Sequence, residues 1–121
     1  MPASRNVAKP NSRAHRRPQQ RAALVDLPAA GCDLPVPDLP PGREWTEAEQ
    51  ARWDELWHSP QAVMWDDSAI GTVAVLITYE QAILTGRASA WQAQEARYAT
   101  EALGLTPKAM AALGWRIADD E

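Results

Sequence analysis

Six of the ten prolines lie between Pro18 and Pro41, and this band decides how much of the 121-residue chain is left to build a core. Proline fixes φ and removes a backbone donor. A stretch that ends in "LPVPDLPPG" therefore reads as extended, semi-rigid linker and not as packed structure. The folded part is then confined to about residues 43–117, near the size at which a single core is marginal. Cys32 is the one cysteine and falls in the linker, so no disulfide can add stability. Two histidines and one cysteine, far apart in sequence, assemble no metal cluster, and no cofactor is expected. Self-association is left as the source of extra stability.

The net charge of −4 conceals an asymmetry. Residues 1–22 carry Arg5, Lys9, Arg13, Arg16, Arg17 and Arg21 with no acid, a charge of +6, whereas residues 23–121 carry six basic and sixteen acidic residues, −10. A basic arm ahead of an acidic body is a pattern of nucleic-acid contact, the arm supplying cations for phosphates. A solvated, disordered tail is the alternative. Pro, Ser, Asn and Gln fill the arm, so disorder in the free chain is expected. A mitochondrial transit peptide would share the Arg-rich, acid-poor composition, but Pro2, Pro10 and Pro18 break the amphipathic helix such signals need.

Past the linker, helix starts and stops are frequent. Thr46 and Glu49 have capping-box spacing and predict a helix to about residue 57 or 58. Ser59-Pro60 predicts a second, short helix to about residue 64 or 65. Asp67-Ser68 opens a third, which closes at Gly86. Between Ala69 and Thr85 that helix carries Glu80 as its only charge. Ile70, Val73, Leu76, Ile77, Ile83 and Leu84 spread beyond a single stripe, so the helix is expected to be buried on most sides, against neighbouring subunits as well as its own chain. It is too short for a membrane span, and Glu80 and several threonines argue against one. Ser89 and Gln92 form a second capping box for a helix ending at Gly104, and Thr106-Pro107 starts a last one to Leu113. The expectation is an all-α fold, a compact bundle of about five helices with no strand, behind a disordered basic arm and a Pro-rich linker. The corresponding division is arm 1–22, linker 23–42, helical core and oligomerisation domain 43–117, and acidic tail 118–121.

"ATEALGLTPKAMAALGW" has the layout of a helix-turn-helix, with Met110 and Leu113 facing the core. Its second helix would offer Lys108, Ala109, Ala111 and Ala112, with Arg116 beyond, a poor set for reading base edges. Two helices joined through Gly and Thr-Pro for structural reasons would look the same. His58-Ser59 beside Asp66-Asp67 lacks a nucleophile elbow and an oxyanion-hole glycine, so no hydrolase is expected. Ser59 is better explained as a cap, and Asp66-Asp67 as first-turn acids. No GxxxxGK[ST] or GxGxxG loop is present, so the chain is not expected to bind ATP or to be an enzyme. Trp53 and Trp57 share a helix face, and Ser59-Pro60 turns the chain so that Trp65 packs back towards them. Core or subunit contact is the expected role of these rings, against base stacking or a ligand cage.

The segments "LPPGREWTEAEQARWDELWHSPQAVMWDDSAIGTVAVLITYEQAIL" and "EARYATEALGLTPKAMAALGWRI" resemble small terminase subunits of tailed phages and prophages, of the actinobacterial type. The resemblance covers roughly residues 27–117, and its most specific part is the SPQA block with its flanking tryptophans. It implies a non-catalytic protein of the host cell cytoplasm that forms a homo-oligomeric ring and engages double-stranded viral DNA. That DNA would pass to the large terminase subunit, the ATPase and nuclease, for genome packaging. On this reading Arg5, Lys9, Arg13, Arg16, Arg17, Arg21, Lys108 and Arg116 are the candidate DNA-binding residues. Trp53, Trp57, Trp65, Ile70, Val73, Leu76, Ile77 and Leu84 are the candidate core and oligomerisation residues. The alternative is a small dimeric helix-turn-helix regulator, a repressor or antitoxin, reading a palindrome from Lys108 to Arg116.

Overall fold

The computed structural model describes residues 24–119. Among these, the element order is β1 (Val25–Leu27), α1 (Glu47–Trp57), a 3-10 helix (Pro60–Met64), α2 (Ala69–Leu84), α3 (Ala90–Ala102), α4 (Pro107–Leu113) and β2 (Trp115–Ile117). The basic arm expected at 1–22, and Asp120 and Glu121 of the acidic tail, lie outside the described residues. The fold is mostly helical, but the expected all-α bundle of five needs two corrections. Four helices are α-helical, and the segment after Ser59-Pro60 is a five-residue 3-10 helix. A run this short favours the tighter turn, with Ala62 N–H bonded to the Ser59 carbonyl at 3.1 Å. There is also a sheet. β1 and β2 pair in parallel, Val25 with Trp115, Asp26 with Arg116 and Leu27 with Ile117.

The helix starts follow their caps. The Thr46 hydroxyl accepts the Glu49 N–H at 3.1 Å and Glu49 Oε1 accepts the Thr46 N–H at 2.9 Å, a complete capping box. Ser89 and Gln92 do the same for α3. Ser59 and Ser68 hold cap positions without a side-chain cap bond. The Ser59 hydroxyl instead donates to the Leu56 carbonyl at 2.7 Å. Asp66 and Asp67 precede α2 and are not first-turn acids; Asp66 Oδ1 accepts the Ser68 N–H at 2.9 Å and tightens the turn into the helix.

The described part of the proline band forms no helix, turns at Ala29-Ala30, and is packed. Leu27 is 1% exposed and Cys32 lies inside the core, with Val36 and Leu39 against it. Three bonds fasten the segment. Cys32 N–H donates to the His58 carbonyl at 3.0 Å, Trp53 Nε1–H to the Pro37 carbonyl at 2.7 Å, and Trp45 Nε1–H to the Pro40 carbonyl at 3.0 Å. Gly31 sits at φ 97°, where an added Cβ would collide with the His58 carbonyl oxygen. A proline keeps its carbonyl as an acceptor although it lacks an N–H, and the two indole N–H groups use those of Pro37 and Pro40.

Trp53, Trp57 and Trp65 form the centre of the core. Their ring centroids are 5.6 Å apart from Trp53 to Trp57 and 5.1 Å from Trp57 to Trp65, the second pair edge-to-face. Trp65 Nε1–H donates to the Leu103 carbonyl at 3.0 Å and so ties this cluster to the end of α3. Val73, Leu76 and Ile77 of α2 close over the rings, and Ile70 packs at the margin. Leu84, by contrast, is 71% exposed at the last turn of α2. No helix among the described residues is long and apolar enough to cross a membrane.

Two ion-pair systems clamp α1 to α2. Arg43 makes a bidentate pair with Glu49, at 3.1 and 2.9 Å, and reaches Thr78 Oγ1 on α2 at 2.9 Å. The hydrogen bond from Arg43 is the main reason the Glu49 carboxyl titrates below its usual value, with burial acting against it. Arg52 pairs with Glu80 at 2.8 and 3.1 Å, and the Glu80 carboxylate holds its guanidinium charged more firmly than usual. The single charge inside the apolar run of α2 is thus spent on α1.

Candidate nucleic-acid interface

α3, the turn at Gly104 and α4 build the helix-turn-helix-like corner. α3 ends in paired carbonyl bonds, Leu105 N–H to Thr100 at 3.1 Å and Gly104 N–H to Glu101 at 3.1 Å. Gly104 adopts φ 73°, and a Cβ there would collide with the Trp115 ring. The Thr106 hydroxyl accepts the Ala109 N–H at 3.0 Å, and Pro107 takes the first helical position.

This corner presents little that could read DNA. α4 spans seven residues. Ala109, expected on the outside, is buried, and the exposed positions are Pro107, Lys108, Ala111 and Ala112. Met110 is half-buried and accepts a bond from Gln61 Nε2 at 3.5 Å. Lys108 shares the rim of a shallow cavity of about 290 Å³ with Glu101, a charge of opposite sign. Arg116 is not on a helix. It lies on β2, and its guanidinium pairs with Asp26 of β1 at 2.7 Å. The segment from Lys108 to Arg116 thus spans two elements, α4 and β2, and not one helix.

The charge of the described body points the same way. Arg43, Arg52 and Arg116 are each paired with a carboxylate. Arg87 donates to the Thr85 hydroxyl at 3.1 Å, and Arg97 lies over the Tyr98 ring at 5.5 Å from its centroid. Arg5, Lys9, Arg13, Arg16, Arg17 and Arg21 lie outside the described residues. The candidate hydrolytic groups are engaged locally, His58 Nδ1 with the Asp54 carbonyl at 2.7 Å and Ser59 with Leu56. No group of three His, Cys, Asp or Glu side chains among the described residues could hold a metal ion.

A family model described as phage terminase small subunit matches residues 6–121. The chain belongs to that family. The match spans the arm, the proline segment, the tryptophan core and the α3–α4 corner of this terminase small subunit, and it confirms the resemblance carried by the SPQA and LTPKA segments. No curated protein and no solved structure shows significant similarity to the chain.

One surface of this terminase small subunit was not anticipated. Trp91 is 58% exposed and Tyr98 is 47% exposed, two turns apart on α3. Their spacing, with Glu95 between and Ala102 beyond, is the i, i+4, i+7, i+11 stripe of one helix face, and that signal is present in the sequence.

Proposed function

We propose that this terminase small subunit binds phage DNA mainly through its basic arm, assembles into a homo-oligomeric ring, and delivers the DNA to the large terminase subunit. The large subunit supplies the ATPase and nuclease, and the small subunit performs no chemistry. The observation that carries this reading is the partition of cations. The arm holds +6 without an acid, while three of the body's six basic side chains are neutralised by carboxylates and α4 offers Lys108 alone. Phosphate contacts position a protein without reading bases, so sequence preference is modest. Self-association is supported by the small core and by the apolar side chains left exposed on α2 and α3.

Deletion of residues 1–22 tests the arm. Each phosphate neutralised contributes about −0.9 to the slope of log K against log salt, so six cations give a slope of about −5 per engaged arm. The truncated protein is expected to bind DNA weakly with a flattened slope and to assemble as before. Unchanged salt dependence would remove the arm from the interface. The α3–α4 corner keeps one other reading in view, the dimeric helix-turn-helix regulator. Native mass measurement separates the two: a closed ring of several chains supports packaging, and a clean dimer overturns the ring.

A further inference from the structure

Arg116 is held by the loosest of the body's ion pairs. Its Nε and Nη2 both lie 2.7 Å from a single oxygen of Asp26, Oδ1. Arg43, by comparison, meets both oxygens of Glu49 and also Thr78, and Arg52 meets two carboxylates. Glu49 and Glu80 are sheltered at the contact of α1 with α2, whereas the Asp26 and Arg116 side chains are 53% and 58% exposed. Among the described residues this is the one ion pair with both members more than half in water. Exposed pairs contribute little to stability. The strands around it are fastened by other means, with Val25 N–H bonded to the Gly114 carbonyl and Ala118 N–H to the Leu27 carbonyl, each at 2.8 Å, and Leu27 buried. Stability of the strand pair therefore gives little reason for the two charges.

Their position gives a better one. No acid precedes Asp26 in the sequence, and Arg21, the last cation of the arm, stands five residues before it. Five residues of fully extended chain span at most about 18 Å, so the Cα atoms of Arg21 and Asp26 are never farther apart than that. Arg116 is the register partner of Asp26 on β2. DNA drawn in by the arm is thereby brought close to Arg116. A phosphate offers a guanidinium the same paired, charged oxygens as a carboxylate. Asp26 stands where a phosphate would stand.

We propose that Asp26 occupies Arg116 in the free protein in place of a DNA phosphate, and that DNA held by the arm displaces it. The exchange breaks the Arg116–Asp26 pair and forms one Arg116–phosphate pair. Asp26 is thus a gate on the body's contact: the arm binds first, and Arg116 joins once a phosphate has been delivered. The released carboxylate returns to water beside the DNA, where it repels the backbone and keeps the added contact weak and reversible. The proposal rests on the reading that the arm binds DNA, and it names the body residue that joins the arm and the residue that holds it back.

Binding of the full chain to a mixed-sequence DNA duplex at low salt tests this. Asp26→Asn keeps the size of the side chain and removes its charge, and Asp26→Glu keeps the charge. Asp119→Asn is the control, an exposed acid two residues past β2 that pairs with no cation among the described residues. Asp26→Asn is expected to raise affinity about two- to fivefold, the range set by an exposed ion pair. Asp26→Glu is expected to bind as wild type, and Asp119→Asn to gain less than Asp26→Asn. Arg116→Gln is expected to reduce the salt slope by about 0.9, one phosphate, and in that background Asp26→Asn is expected to do no more than the control. Urea midpoints and assembly are expected to stay close to wild type throughout. A gain from Asp26→Asn that Asp119→Asn matches, or that persists without Arg116, makes Asp26 a general repulsive charge and overturns the exchange while leaving the arm in place. Unchanged or reduced affinity of Asp26→Asn overturns it as well, and so does a large drop in its urea midpoint, which would show that the strands need the pair. A wild-type protein that does not bind DNA overturns both the exchange and the reading on which it rests.

Discussion

Trp57 and Trp91 occupy helices of the same fold, yet one is wholly buried and the other more than half exposed. Around Trp57, the chain supplies Trp53, Trp65, the inner residues of α2 and a proline segment bound through indole N–H groups. Around Trp91, it supplies the Tyr79 ring and leaves more than half of the side chain exposed. The inner region shows a small chain using three aromatic rings and extended backbone to complete one core. The outer region shows what remains when that core has used the available apolar residues. Burial here is decided by what the topology brings opposite a ring, not by residue type.

Substitutions can break this contrast. Trp57→Ala is expected to cost about 3–5 kcal/mol in denaturant unfolding, since it removes the central ring of the core. A stable Trp57→Ala protein with selectively reduced DNA affinity would turn the inner cluster into a binding surface and erase the contrast. Leu27→Ala follows, at about 2–4 kcal/mol, because Leu27 is the buried residue of β1. A near-neutral result would return the proline segment to the status of a linker.

Glu49→Gln sharpens the inner region further. Gln retains the capping box but loses the charge that Arg43 engages, a loss of about 1 kcal/mol or less at neutral pH. The Glu49 pKa is lowered by folding, so its contribution is fully present above the ordinary value of 4.5. It disappears as pH falls through the folded value. Wild type and Glu49→Gln are therefore expected to differ in urea midpoint at pH 7 and to converge below pH 4.5. A constant difference across that range would remove the ion pair as the cause. The smallest effect belongs to the outer region, where Trp91→Ala is expected to change monomer stability by only about 0.5 kcal/mol or less.

Much of the helical frame was legible in the sequence because it depends on neighbours. Thr46 with Glu49, Ser89 with Gln92, and Thr106-Pro107 act within one turn, and each opens a helix as its spacing predicts. The caps at Ser59 and Ser68 were legible only as positions, since their hydroxyls could bond elsewhere. The strands were not legible. Each has three residues, too few for an alternating pattern, and their partners lie ninety positions apart, as in the Arg116–Asp26 pair. Of the candidate DNA-binding residues among those described, Lys108 is exposed on α4 and Arg116 is exposed on β2 beside Asp26, a pairing that the sequence does not show.

The sequence by itself determined the family, the helix boundaries set by caps, the clustering of three tryptophans and the separation of a basic arm from an acidic body. These are properties of composition, or of contacts a few residues long. The tertiary structure alone decided that Leu27, Cys32, Val36 and Leu39 of the proline segment are buried in or against the core. It also decided that Arg116 is neutralised by Asp26, and that Trp91, Tyr98 and Leu84 remain outside. Each of these outcomes depends on which distant segment arrives opposite a side chain, and the spacing of residues along one chain does not record that.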